Sequence, residues 1–419
     1  KAAGYRCSGS YAGRNIEVIY QKAAAAGVAL SLEGAVRACF ASSKRMRHVL
    51  ICGGFFVLHD RCSAPRPGLA SGSCETDGPL GALALARAFA ARGVYVSIFC
   101  DAHCEPVIRA GYDAMLRYFD SADDSFASLL REYCRCLPAV SDTISGDRTD
   151  VGENEFSRHH AVAFPGVTPD PKSLRGRSVI TAMHLGAAVF AAWGKQNPGP
   201  MDCLFAIERL GAPYRNIRGR DIGEHTEPID CLWPLMDDGT LCGGALERIS
   251  AFIDREHMSA RAVDVLRKVA GVAVDALSLG VGDGGNEVGM GKVAHLEGIA
   301  ELSPGGEFVA LTVNGCYRSC DHLVVSTVSN WAGTAFEMAS HVLFGDGSGY
   351  IATLRKNGRS ISAVEQHILE SIVVYPATSV DGVSPAREKS IDGMSFLPNH
   401  GELYDMLWDL ATGVVDSEP

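Results

Sequence analysis

Hydrophobic positions fall into short runs of strand length that alternate with longer segments of helical composition, separated by glycine, proline or acidic residues. Residues 11–40 read as a helical entry segment, alanine-rich around Ala23 to Ala26. The unbroken apolar run from His48 to Leu58 predicts a buried strand that runs into a loop. That loop, residues 61–74, is rich in Pro, Gly and Ser and ends in Glu75-Thr-Asp-Gly-Pro-Leu-Gly81. Residues 82–92 predict a helix closed by Gly93, and residues 94–99 predict a strand ending at Asp101. Strand, loop, helix and strand in this order are the grammar of a parallel α/β sheet.

The same pattern continues downstream. Residues 179–193 predict a helix, 201–208 a strand, and 243–254 and 259–268 two more helices. A strand at 275–281 feeds a glycine-rich turn at 282–291; a strand at 322–328 precedes a helix at 334–343. The tail from Pro376 carries Asp-Gly turns at Asp381 and Asp392. Residues 105–175 are more polar and less regular, and are expected to form an insertion or cap. The predicted fold is α/β in three layers: a largely parallel central sheet with helices on both faces, as one domain over residues 1–419. The longest charge-free apolar stretch, residues 178–194, contains His184 and many small residues and reads as a buried helix, not a membrane span.

Polar residues recur where apolar strands end: Glu75 and Asp77, Glu208 and Arg209, Asp283 to Glu287, Ser329 and Asn330. In open α/β sheets the ligand crevice lies beyond the carboxyl ends of the strands, so all four clusters are expected to line one crevice. Pro79 suits the first turn of a helix, which leaves Asp77 either as a helix cap or, with Glu75, as a carboxylate facing a metal or an ammonium group. The run Gly280-Val-Gly-Asp-Gly-Gly-Asn-Glu-Val-Gly-Met-Gly291 lets backbone approach a ligand closely, and Asp283, Asn286 and Glu287 are hard oxygen ligands suited to Mg²⁺ or Mn²⁺. It lacks the Gly-Lys-Ser/Thr ending of a P-loop, and its literal G-x-G-x-x-G match is a weak dinucleotide signal, so no nucleotide cofactor is expected. Tyr214-Arg-Asn-Ile-Arg-Gly-Arg-Asp-Ile222 is basic, and Arg218 could clamp a carboxylate or form surface ion pairs.

Composition narrows the function. With 38 Lys and Arg against 49 Asp and Glu, the net charge is −11, and no basic run of nucleic-acid length occurs. Duplex binding is therefore excluded as the main task, whereas an anionic small molecule is not. The 14 cysteines follow no regular framework and read as reduced thiols of an intracellular protein. Cys100, His103 and Cys104, with Cys316, Cys320 and His322, lack the spacing of a structural zinc site and read as buried thiols. His159 and His160 read as loop surface.

Six blocks carry a family resemblance: Glu75-Thr-Asp-Gly-Pro-Leu-Gly-Ala82, Ala206-Ile-Glu-Arg209, Tyr214 to Ile222, Gly280 to Lys292, Ser329-Asn-Trp331 and Val380-Asp-Gly-Val383. In this order they resemble the C-terminal domain of D-glutamate cyclases, over roughly residues 15–415. Gly53 stands where the family more often has Thr, and Thr327 and Ala332 where it usually has glycines. The resemblance implies a lyase that converts D-glutamate to 5-oxo-D-proline and water, with a divalent metal, Mg²⁺ or Mn²⁺, as an implied cofactor. It favours the mitochondrial matrix over the cytoplasm, and an amino-acid substrate over nucleic acid or membrane as the partner, with self-association left open. Chemistry on the matched positions assigns Glu75 or Asp77 as general base, and Asp283, Glu287 and Asp77 as metal ligands. Asn286, Asn330 and the N–H groups of Gly284 and Gly285 are expected to hold the oxyanion, with Arg218, Arg209 and Ser329 contacting substrate. Metal-dependent phosphate-ester hydrolysis and a catalytically silent amino-acid or metal sensor are the competing readings.

Overall fold

The computed structural model describes residues 16–41, 46–58, 72–121, 125–139, 181–242 with short gaps, 276–296 with one gap, 315–374 and 377–413 with a gap at 383–388. In chain order the strands are β1 (His48–Gly53), β2 (Phe56–Leu58), β3 (Gly72–Cys74), β4 (Tyr95–Phe99), β5 (Cys134–Cys136), β6 (Cys203–Ile207), β7 (Leu235–Asp237), β8 (Thr240–Cys242), β9 (Leu277–Gly282), β10 (His322–Val325), β11 (Ser390–Ile391) and β12 (Met394–Ser395). Six of them form the central sheet, in the order β10-β9-β6-β1-β4-β5, with every pairing parallel. From β1 the chain builds outward to β4 and β5, then returns to the other side of β1 for β6, β9 and β10. The direction of winding thus reverses between β1 and β6, and the carboxyl ends of these two strands flank the crevice such a reversal opens.

Alternation along the strands feeds a core on each face. Val49 and Ile51 of β1 and Phe205 and Ile207 of β6 pack into one. Leu50 and Cys52 of β1 and Leu204 and Ala206 of β6 pack into the other. The first face is covered by α2 (Leu32–Phe40), α3 (Pro79–Ala90), α4 (Glu105–Asp120) and α5 (Phe126–Tyr133), and by the later helices described below. The second meets α1 (Ile16–Ala25), helical residues between 181 and 193, and the Ile229–Leu232 turn with Trp233. This is the three-layer α/β fold that the hydrophobic pattern predicts.

Two boundaries differ from the sequence expectation. The apolar run of residues 48–58 breaks at Gly53-Gly54: Gly54 takes φ +95, and Phe56–Leu58 turns back to pair antiparallel with Gly72–Cys74. Hydrophobicity alone hid that break because Phe55 and Phe56 are buried as fully as β1. The stretch expected to be an insertion or cap at 105–175 instead opens with α4, α5 and β5, which complete the sheet edge. Its polarity belongs to the solvent faces of two amphipathic helices. Residues 140–180, including His159 and His160, and the helices expected at 243–254 and 259–268 lie outside the described residues.

α3 is buried along its whole length, consistent with a sequence, Pro-Leu-Gly-Ala-Leu-Ala-Leu-Ala-Arg-Ala-Phe-Ala, that has no polar face. It lies against α6 (Ser329–Phe344), where two glycines meet: a Cβ on Gly333 would stand 2.5 Å from Cα of Gly81. The one charge in α3, Arg87, makes a two-pronged ion pair with Glu337 of α6, both contacts 2.7 Å. It also pairs with Glu365 of α8 (Ile361–Ile372), while Tyr350 of α7 (Tyr350–Lys356) donates to Glu337. All four side chains are fully buried. Two carboxylates thus share one guanidinium away from water. Burial pushes the Glu365 carboxyl up to about 7; Arg87 pulls it down and Glu337 pushes it up, and burial prevails.

A buried acid whose pKa is raised on folding stabilises the protein at low pH, and that contribution is lost as the pH rises through the folded value. For Glu365 the loss runs from about pH 4.5, its ordinary value, to about 7. Urea unfolding of the wild type and Glu365→Gln at several pH values should show the wild type losing stability relative to the variant between pH 5 and 7.5. The difference should then level off. A difference constant over the whole range would remove the raised pKa.

Candidate active site

The carboxyl ends of β1, β6 and β9 carry the chemistry. At the end of β6, Glu208 adopts φ +43, a left-handed conformation rare for a side chain of this size. Facing it, Gly78 takes φ +99, and a Cβ there would lie 2.8 Å from Cβ of Glu208, so only glycine fits. The Glu208 carboxylate is buried and accepts a hydrogen bond from Ser329 Oγ at 2.5 Å. Burial holds its pKa well above the usual carboxylate range, and Glu287, Asp77 and Glu75 push it further; the Ser329 bond opposes them.

Beyond β9 the glycine-rich turn folds back on the segment after β6: Val288 N donates to Arg209 O, and Gly211 N to Asn286 O. Glu287 is clamped by its own turn, accepting from Gly284 N at 3.0 Å and Gly285 N at 2.8 Å. A side chain at 282 would strike Glu287, whose Cβ and Oε2 would each be 2.9 Å away. From the other end of the chain comes Asp392, at φ +53 in an Asp-Gly turn between β11 and β12. These elements converge. Asp77, Asp283 and Asp392 form one group and Glu208, Asp283 and Glu287 a second, each with ligand oxygens within 4.8 Å of one another. All five carboxylates are buried. Buried carboxylates this close require protons or cations between them, and hard oxygen donors in this number suit a divalent ion such as Mg²⁺ or Mn²⁺.

Asp77 and Asn330 occupy each other's helix. The Asp77 carboxylate accepts from Ser329 N at 2.9 Å and Asn330 N at 2.8 Å, the first N–H groups of α6, and from Gly78 N. In return, Asn330 Oδ1 accepts from Gly78 N at 2.9 Å and Gly81 N at 2.8 Å at the start of α3, while its Nδ2 donates to Thr76 O. Two helix N-termini therefore meet head to head and cap one another.

The match to known sequences covers the same elements. Residues 10–240 and 253–407 match the family described as D-glutamate cyclase-like, C-terminal. The chain belongs to this family. Over 231 residues it is 29% identical to the mitochondrial D-glutamate cyclase of Homo sapiens, a match that takes in 51% of this chain and 30% of the human protein. The chain thus aligns with less than a third of that relative's length. Among the described residues, no helix is long and apolar enough to cross a membrane.

Against the family blocks, the structure brings Glu75, Asp77, Asp283, Asn286, Glu287, Ser329 and Asn330 to the crest of the sheet and separates others from it. Asp77 does cap a helix, but α6 rather than the adjacent α3. Ser329 and Asn330 lie in the first turn of α6, which starts five residues before the expected helix. Gly284 and Gly285 direct their N–H groups at Glu287, not toward a substrate oxyanion. Arg209 is buried, ion-paired with Asp101 at 2.5 Å and donating to Glu227 O at 2.6 Å. Arg218 lies outside the described residues. The six cysteines and histidines weighed for zinc form no metal-holding group among the described residues. The four cysteines are buried and form no disulfide among the described residues; burial raises the pKa of Cys100, Cys316 and Cys320, and a hydrogen bond with Cys74 together with burial raises that of Cys104.

Sequence reasoning placed Glu208 in a strand-end cluster without giving it a role, and read Asp392 only as a turn. The signals were present in both: an acid directly after an apolar strand, and an Asp-Gly pair. A further glycine is fixed here, since a Cβ on Gly382 would overlap the Glu75 carboxylate at 1.9 Å. Replacing Asn330 by Ala should leave the Gly81 N–H without the acceptor Asn330 gives it and the Gly78 N–H with Asp77 alone, and cost roughly 1–3 kcal/mol of stability. Chemical denaturation measures this, and a loss below about 0.5 kcal/mol would show that the reciprocal cap is energetically idle.

Proposed function

We propose that the protein is a D-glutamate cyclase, converting D-glutamate to 5-oxo-D-proline and water. The supporting observation is the set of buried carboxylates at the winding reversal of a sheet whose chain belongs to the D-glutamate cyclase-like family. Ring closure joins the α-amino nitrogen to the side-chain carboxyl carbon, and one oxygen of that carboxyl leaves. Counting atoms, two protons leave the ammonium group and both end on the departing oxygen, which becomes water. The site therefore needs a group that accepts protons near the nitrogen and one that supplies them near the oxygen.

Neighbouring carboxylates in unlike environments can divide these roles. Glu75, lying over Gly382, takes the ammonium proton in our reading; Asp77 is less suited, with three N–H groups already on its oxygens. Glu208, held neutral by burial and the surrounding acids, gives a proton to the leaving oxygen, and Ser329 fixes its orientation. Ring closure is intramolecular, so holding the substrate folded brings nitrogen and carboxyl carbon together without a bimolecular encounter. A divalent cation bound by Asp283 and Glu287, with Asp77 or Asp392, would supply Lewis-acid neutralisation of the substrate carboxylate. Phosphate-ester hydrolysis is less well supported, because the helix N-termini and turn N–H groups that would take a phosphate already hold Asp77, Asn330 and Glu287.

The deciding experiment incubates the purified protein with D- or L-glutamate, with and without Mg²⁺ or Mn²⁺, and detects 5-oxoproline on a chiral column. Product from the D isomer alone is expected, diminished by a chelator and restored by the metal; no product from either isomer would refute the function. Glu208→Gln keeps the Ser329 contact but has no proton to give. It should lower kcat by about 10²- to 10⁴-fold while the circular dichroism spectrum is unchanged. A wild-type kcat in the folded variant would remove Glu208 from the chemistry.

A further inference from the structure

Asn286 holds a polar atom that the fold does not use. Its side chain is buried, and Nδ2 donates to Arg215 O at 2.9 Å. A backbone carbonyl only accepts, so flipping the amide would set two acceptors against each other; the contact fixes which end is nitrogen. Oδ1 is the remaining end. It is shielded from solvent and accepts no hydrogen bond among the described residues. The residue is also fixed in place: its backbone oxygen accepts from Gly211 N at 3.1 Å, and the next residue but one, Val288, donates to Arg209 O at 2.7 Å. On either side in sequence stand Asp283 and Glu287, both in the carboxylate groups of the site.

This geometry reverses the role expected from sequence. An oxyanion needs a donor, and Nδ2, the donor end of Asn286, is turned to Arg215 O; the end without a partner is the acceptor Oδ1. We propose that Asn286 Oδ1 binds the α-amino group of the substrate. The inference rests on the function proposed above and follows from the substrate's own inventory. D-Glutamate has two carboxylates, which only accept, and one amino group, which donates. A hydrogen bond from this substrate to an amide oxygen must therefore come from nitrogen.

A neutral acceptor also suits the reaction better than another carboxylate would. A carboxylate stabilises the ammonium form and holds back the proton that must leave before attack. An amide oxygen accepts an N–H from the ammonium and from the free amine alike. It can keep the nitrogen oriented, with its lone pair toward the carboxyl carbon, after the proton has gone.

The test compares D-glutamate with glutarate, which has both carboxylates and no amino group. Calorimetric dissociation constants are measured for both ligands on wild type and Asn286→Ala. Loss of a hydrogen bond to a charged group should weaken D-glutamate about 10- to 100-fold. Glutarate binding should stay within about twofold, since it never used that bond. Equal weakening of both ligands would overturn the proposal and leave Asn286 as a support for the 211–215 segment. Unchanged binding of both would overturn it as well. If the wild type neither binds D-glutamate nor forms 5-oxoproline, the function itself falls, a result visible before any substitution is made.

Discussion

The site depends on the meeting of two helix N-termini. Each would present unpaired N–H groups and the positive end of a dipole to the other, an arrangement that is unfavourable unless acceptors stand between them. Asp77 and Asn330 supply the acceptors, each from the start of one helix to the start of the other. The exchange requires close approach, and Gly81 against Gly333 provides it, with no room for a side chain on either. Once α3 and α6 are locked in this way, Ser329 is carried to Glu208 and Glu75 is set over Gly382.

The same exchange shapes the electrostatics. Asp77 is balanced by backbone dipoles, Asp101 by Arg209 and Asp230 by Arg318. At Glu208 burial, reinforced by Glu287, Asp77 and Glu75, holds the pKa well above the usual carboxylate range. A parallel situation, removed from the crevice, exists around Arg87, where one cation serves Glu337 and Glu365. At the crest of the sheet the acids stand among glycine turns, whereas around Arg87 they are packed between helices.

Much of this was legible in the sequence. Strand-length apolar runs predicted the parallel sheet, and acids placed directly after them marked its carboxyl edge, because a strand's last residues point into the crevice whatever the side chains are. What stayed hidden was of two kinds. Pairings across hundreds of residues, such as Asp77 with Asn330, leave no local trace; each residue reads as a cap for the helix beside it. The second kind is saturation: the N–H groups of Gly284 and Gly285 have the right chemistry for an anion, and only the geometry reveals that Glu287 has already taken them. Asp392 was obscured because an Asp-Gly pair in a tail has a sufficient explanation as a turn.

The stitching of the Cys74–Thr76 segment to the far end of the chain has a consequence for how the protein is made. Val380 pairs with residues on both sides of Glu75, the Ser73 hydroxyl donates to Thr378 O and that of Ser379 to Cys74 O across the same seam, and Thr76 donates to Ser390 O. During synthesis the sheet strands up to β10 leave the ribosome before any of these partners exists. The acids at 75 and 77 then wait, with their strand edge open, until residues 378–390 have been translated. Assembly of this side of the site therefore waits on residues 378–392, and a chain released before them has most of the sheet but not the seam that holds the segment around Glu75.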